Sequence, residues 1–192
     1  MILASKSIRR QEILRDSGFH LRILPADIEE KSSKDNIVDK IKDIAYKKAY
    51  YVAKSNLNDY VLAADTIVEI NGEVLGKPKD REEAKRYLKL LSGNIHRVIT
   101  AYSFINIEKN IYIQNADISE VKFYNLDNEE IEWYIESGEP FDKAGAYGIQ
   151  GKGRLFVEQI KGDFFSIMGF PIAKFIRELK KLKIELKDIP KL

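Results

Sequence analysis

The stretch Val61-Leu62-Ala63-Ala64-Asp65-Thr66-Ile67-Val68-Glu69-Ile70 is a run of β-formers long enough to cross a sheet. Behind it, Asn71-Gly72 followed by Glu73-Val74-Leu75 is a strong two-residue hairpin signal. A carboxylate inside a strand that otherwise reads as buried is costly unless a cation or a metal ion pairs with it. Asp65 is therefore the first catalytic candidate. The competing reading is that the strand breaks there and Asp65 caps a turn.

Upstream of this strand, residues 35–54 read as a helix whose Ile37, Ile41, Ile44, Ala45 and Val52 share one stripe. Lys48 falls on the same stripe, seven residues after Ile41 and four before Val52. A lysine in that place either snorkels to the rim or meets an anion. The amino-terminal Met1–Ala4 is a short apolar run, and Ser5 and Ser7 can cap a helix that ends at Gly18. Arg9 and Arg10 stand in its first turn, where the helix dipole disfavours cations. They are either solvated surface charges or, with the two serines and the free N–H groups, a cradle for phosphate.

Downstream, Asp80 and Glu83 predict a capping box for a helix carrying Ala84, Leu88 and Leu91. Residues 97–107 and 111–124 predict two long strands, and Asp127 with Glu130 caps a further helix that ends at Gly138. Residues 156–160 and 164–168 predict two more strands around Lys161-Gly162, and Pro171 opens a last amphipathic helix over 172–182. With no repeat or linker, the chain is expected to be a single α/β domain with a mixed sheet spanning residues 1–192.

Composition narrows the function. At 192 residues and 44% hydrophobic content, the chain can bury one core or two lobes sharing one cleft. A formal net charge of +2 gives no global field for coating nucleic acid or gripping a membrane, so an anionic ligand needs local cations. The absence of cysteine removes disulfides, thiolate metal sites and a cysteine nucleophile. No run approaches the ~18 apolar residues of a membrane helix, and a cytoplasmic protein is expected. The basic segment Arg177–Lys183 alternates with Phe175, Ile176, Leu179 and Leu182 at helical spacing, which reads as a solvated helix face and not a nucleic-acid site.

One more segment carries chemistry. Five of the eleven glycines lie in the sixteen residues from Gly138 to Gly153, so the backbone there turns sharply or approaches something closely. It lacks both the P-loop and the dinucleotide fingerprint. Gln150 within it can offer an amide donor and acceptor to a base edge. Lys77 before Pro78 adds a cation at a rigid position, and His96 either orders a loop or approaches a phosphate.

Together these residues resemble the Maf family along nearly the whole chain. The carriers are Leu3-Ala4-Ser5-Lys6-Ser7-Ile8-Arg9-Arg10, Asp27-Ile28-Glu29-Glu30, Lys48-Ala49, Ala64-Asp65-Thr66, Gly76-Lys77-Pro78 and Leu91-Ser92-Gly93 with His96. The series closes with Asp142-Lys143-Ala144-Gly145-Ala146-Tyr147-Gly148-Ile149-Gln150-Gly151 and Gly169-Phe170-Pro171. Ile8 replaces the family's proline and Phe170 its usual leucine. The resemblance implies a two-lobed, mixed-sheet α/β fold like that of the inosine triphosphate pyrophosphatases, with a central cleft, a homodimer and a divalent cation, Mg²⁺ or Mn²⁺.

The resemblance also implies hydrolysis of nucleoside triphosphates between the α and β phosphates. The intact Asp142–Gly151 block points to the branch acting on dTTP and UTP, with CTP and modified pyrimidine nucleotides in the same class. Asp65 would be the proton acceptor, and Arg9, Thr66 and Gln150 would set base specificity. Ser5, Arg10, Glu30, Lys48 and Lys77 would complete the phosphate and metal site, with Asp65 and Glu30 as metal ligands and Glu29 as an alternative helper. Two rival readings remain: the 7-methyl-GTP branch of the same family, and a nucleotide-sensing regulator of septum formation in which hydrolysis is incidental.

Overall fold

The computed structural model describes residues 1–192. Seven strands form one mixed sheet in the order β2-β1-β3-β5-β6-β7, with β4 paired to β3. They are β1 (Ile2–Leu3), β2 (Arg22–Ile23), β3 (Val61–Ile70), β4 (Glu73–Leu75), β5 (Ile95–Asn106), β6 (Ile111–Phe123) and β7 (Val157–Lys161). β1 runs parallel to both β2 and β3, whereas β3–β4 and β6–β7 are antiparallel. The helices are α1 (Ile8–Asp16), α2 (Ile37–Ala53), α3 (Arg81–Leu91), α4 (Asn128–Glu136), α5 (Phe164–Met168) and α6 (Ile172–Lys181). None is long and apolar enough to cross a membrane.

The chain divides into two compact units, one of residues 1–65, 100–117 and 169–192, the other of residues 66–99 and 118–168. In the first unit, the apolar stripe of α2 (Ala49, Val52, Ala53) packs with Ile2, Val61, Ala63 and Ile105 of the sheet and with Ala4 just beyond β1. Small residues on both sides let α2 come close to the strands. Phe175 of α6 forms a second centre, its ring 5.2–5.9 Å from those of Phe19, Tyr102, Phe104 and Phe170. In the second unit, Phe123 of β6 lies 4.7 Å from Tyr147 and 5.0 Å from His96, and Tyr134 of α4 lies 5.0 Å from Phe156. Edge-to-face packing of this kind adds to plain burial.

Most predicted boundaries hold within a residue or two. Ser7 caps α1 by accepting from Arg10 N at 3.4 Å, and α2 starts at Ile37, two residues later than expected, where Asn36 caps it by accepting from Val38 N at 2.9 Å. Asp127 and Glu130 form the full capping box of α4. The Asp80 box is only half present: Asp80 Oδ1 accepts from Glu83 N at 2.8 Å, but Glu83 reaches past it to Lys79 N. Pro171 stands at the cap position before α6 and not inside its first turn. Segment 164–168 is a single helical turn, not a strand. Asp163 Oδ1 accepts from Phe165 N at 2.8 Å and Ser166 N at 3.3 Å, which gives the backbone a helical start that outweighs its β-propensity. At the end of α6, Lys181 pairs with Glu178 at 2.8 Å, consistent with a solvated basic face.

Candidate active site

Asp65 sits in mid-strand on β3, as the sequence required, so the turn-cap alternative falls. Lys48, buried on α2, meets two carboxylates and does not merely snorkel. Nζ donates to Glu30 Oε1 at 2.8 Å and to Asp65 Oδ1 at 3.4 Å. The Asp65 and Lys48 side chains are 17% and 10% exposed and Glu30 is 55% exposed, so a buried ion pair opens to solvent on the Glu30 side. Burial pushes the Asp65 carboxyl above its ordinary range. Lys48 and Arg10 pull against that shift and Glu30 adds to it.

Arg10 resolves the question about the first helix. Its side chain is buried, with Nε donating to the Gly169 carbonyl at 2.9 Å and one terminal nitrogen donating to Ser5 Oγ at 3.1 Å. Burial presses its pKa down, with Arg9 adding to this, while Asp65 and Glu30 hold the charge in place. It is no solvated surface cation. Ser5, itself buried, also accepts from Ser7 N at 3.2 Å. The Arg10 fork is thus anchored partly on the protein, which fixes its direction, and Arg9 beside it is half-buried. The Gly169 carbonyl is a contributor that sequence reading missed. Arg10 shares a helix face with the buried Ile13 and Leu14, the same pattern that singled out Lys48.

Ser5, Arg10, Glu30, Lys48 and Asp65 therefore belong to one electrostatic group in the first unit. Glu29 does not join it; its carboxylate is exposed and pairs with Lys31. Thr66, Lys77 and Gln150 lie in the second unit. Thr66 follows Asp65 directly on β3, while Lys77 and Gln150 are exposed on loops. His96 is structural: it is buried, with Nε2 2.7 Å from the Tyr147 hydroxyl and its ring edge-on to Phe123 and Tyr147. The glycine-rich segment is a series of 3-10 turns over residues 139–142, 144–146 and 151–156. Its close approaches are to its own unit: a Cβ on Gly145 would stand 2.8 Å from Val68.

No three acidic or histidine side chains converge to hold a metal ion unaided. Asp65 and Glu30 nevertheless offer hard carboxylate oxygens, the donor type that suits Mg²⁺ when phosphate oxygens supply the remaining ligands. The donor chemistry fits an ion that arrives with a polyphosphate.

Comparison with known proteins gives the family of the chain. The family model described as Maf-like protein matches residues 1–182. A dTTP/UTP pyrophosphatase of Fusobacterium nucleatum is 58% identical, with all of both chains covered. Proteins of the same name from Alkaliphilus oremlandii and Pyrococcus horikoshii are 50% and 47% identical, covering 91% and 95% of this chain and 91% and 96% of their own. Among solved structures, the Staphylococcus aureus Ham1 protein aligns with 65% of this chain and 71% of its own, at 17% identity and a TM-score of 0.48. With the family model spanning nearly the full length and relatives identical at about half their positions or more, the chain belongs to the Maf family.

Proposed function

We infer that the chain is a nucleoside triphosphate pyrophosphatase that hydrolyses dTTP and UTP to the nucleoside monophosphate and pyrophosphate. The observation that carries the reading is Asp65, a carboxylate embedded in a strand beside a buried lysine and joined through it to Glu30. A structural ion pair gains little from such a place, since desolvation offsets most of its attraction. A catalytic base gains from it, because burial lifts its basicity toward the working pH.

In this mechanism the oxygen of a water attacks the α phosphorus, its proton passes to an Asp65 oxygen, and the bond from the α phosphorus to the bridging oxygen breaks. Pyrophosphate leaves with the electron pair of that bond. Arg10, held in direction by Ser5 and Gly169, and Lys48 supply fixed positive charge toward the phosphates, so little reorganisation is needed as charge shifts to the leaving group. Arg9 and Lys77 add to that field. Mg²⁺ or Mn²⁺, when bound by Asp65, Glu30 and the phosphates, neutralises part of the triphosphate charge. Arg9, Thr66 and Gln150 select the base. The intact Asp142–Gly151 block favours pyrimidines over 7-methyl-GTP, and a cytoplasmic homodimer is the setting in which we expect the enzyme to work.

The test is pyrophosphate release by the purified protein across pyrimidine and purine triphosphates, with Asp65→Asn as control. Pyrimidine-selective release that falls by about 10²–10⁴ in Asp65→Asn is expected for loss of a general base. Release confined to purines would overturn the base assignment. No release on any triphosphate would overturn the enzyme and leave the nucleotide sensor.

A further inference from the structure

Gln150 is exposed and lies just before the 3-10 turn over residues 151–156, so nothing in its own side chain fixes where its amide points. The chain on either side of it is tied down. Upstream, Gly148 N–H donates to the hydroxyl of Tyr134, a buried residue of α4, at 3.3 Å. The Lys143 stem lies across Gly148, so close that a Cβ there would stand 2.8 Å from Lys143 Cε. Lys143 is held over the loop because its ammonium donates to the Glu139 carbonyl at 2.8 Å and to Asp142 Oδ1 at 2.6 Å. Downstream, the Lys152 N–H donates to both carboxylate oxygens of Glu139, at 3.0 and 3.2 Å. Gly151 has φ +65°, and a Cβ on it would meet Glu139 Oε2 at 2.6 Å.

Glu139 thus grips the loop twice. Its carbonyl anchors the lysine that covers Gly148, and its carboxylate takes the amide just beyond Gln150. A bond from a backbone N–H to a carboxylate is among the stronger ones a loop can make. None of these groups lies in the unit that carries Asp65 and Lys48.

We propose that Glu139 and Lys143 are positioning residues for base selection: they hold residues 148–152 in the one shape that presents the Gln150 amide to a pyrimidine, and touch no reacting atom. The proposal rests on the pyrophosphatase reading and on Gln150 as its base-reading residue. A loop fixed before binding loses no conformational entropy when the base arrives, whereas a loosened loop must be ordered by the substrate. The cost falls on binding and on discrimination between bases, and the chemical step keeps its rate.

The experiment compares wild type with Glu139→Ala, Glu139→Gln and Lys143→Met. Pyrophosphate release is followed from dTTP, UTP and GTP, with amide hydrogen exchange over residues 148–152 as a second readout. For Glu139→Ala we expect kcat on dTTP within about threefold of wild type, a KM raised about tenfold, and a similar fall in the dTTP-to-GTP ratio of kcat/KM, the scale set by losing one charge-assisted hydrogen bond. Exchange over the loop should quicken. Glu139→Gln keeps one oxygen that can accept from Lys152 N–H and should recover most of the selectivity, and Lys143→Met should shift in the same direction as Glu139→Ala. If Glu139→Ala does not fold, the other two variants carry the comparison.

An equal drop of kcat on all nucleotides with KM unchanged would mean a general structural role and overturn the proposal. A pyrimidine-selective wild type whose selectivity survives in all three variants would overturn it alone. A wild type inactive on every triphosphate would sink the functional reading and the proposal with it.

Discussion

Lys48 is where one side chain reports most on the rest. Its ammonium opposes the burial that raises the Asp65 carboxyl more strongly than Arg10 does. Replacing Lys48 by Met keeps the stem and removes the charge, so the folded pKa of Asp65 should climb further. A base must be deprotonated to accept the water's proton. The acid limb of the kcat/KM–pH profile for dTTP should therefore move to higher pH in Lys48→Met, with activity falling most on the acid side. A profile of unchanged shape, merely lower everywhere, would place Lys48 on phosphate charge alone. Lys48 and Asp65 were legible in the sequence for one reason: each breaks an apolar pattern, of period 3.6 on α2 and of a continuous run on β3. Arg10 carried the same signal and was read less far, because a helix start offers a solvated alternative to any cation. Glu30 lies on an irregular stretch with no period to break, and only its motif marked it.

At the scale of elements, the helices announced themselves through caps and stripes, and the long strands through β-formers. The one element of the wrong type has a clear cause, a polar side chain bonding to backbone. Segment 164–168 has the aromatic and apolar residues of a strand, but Asp163 caps it into a turn of helix, and Asp163 N donates to Ser119 Oγ at 2.9 Å. Ser119 is in turn fully buried on the same face of β6 as Val121 and Phe123, a place its hydroxyl can occupy because it bonds to the backbone of residue 163. The burial of Ser119 does not follow from periodicity, since it depends on a partner 44 residues away, and the Asp163 cap, though local, is hidden by the β-formers that follow it. Asp163→Ala should cost about 1 kcal/mol through the lost cap, by denaturant unfolding. Asp163→Asn, which keeps a capping oxygen, should cost only a few tenths. Equal losses would mean that the charge of Asp163, and not its cap, stabilises α5. The strand order β2-β1-β3-β5-β6-β7 was not legible at all, because β1 and β2 are two residues each and their pairing is set by what packs around them.

For the molecule as a whole, the most telling buried group lies away from the chemistry. His96 is 1% exposed, and burial alone pushes its pKa down from 6.5 to about 4. Its Nε2 meets the Tyr147 hydroxyl, while Nδ1 has no partner. Tyr147 stays protonated, since burial raises its pKa. Protonating His96 would place a charge and an unpaired N–H among Phe123 and Tyr147, so the folded state refuses a proton that the unfolded chain accepts. The sign follows: stability linked to His96 is complete above about 6.5 and is lost as pH falls toward about 4. At 1.36 kcal/mol per unit, that interval corresponds to about 3 kcal/mol, a large share of the 5–15 kcal/mol typical of a domain. Asp65 acts with the opposite sign. Its raised pKa means the folded state holds its proton more firmly, so the contribution is largest at low pH and is lost as pH rises through the folded value. Urea midpoints should therefore fall between pH 6.5 and 4 in the wild type. In His96→Phe the fall should flatten, while stability at pH 7 drops by about 1–3 kcal/mol because the Tyr147 hydroxyl is left buried without its partner. If His96→Phe kept the full acid-side loss, the carboxylates and not this histidine would set the acid limit of the fold.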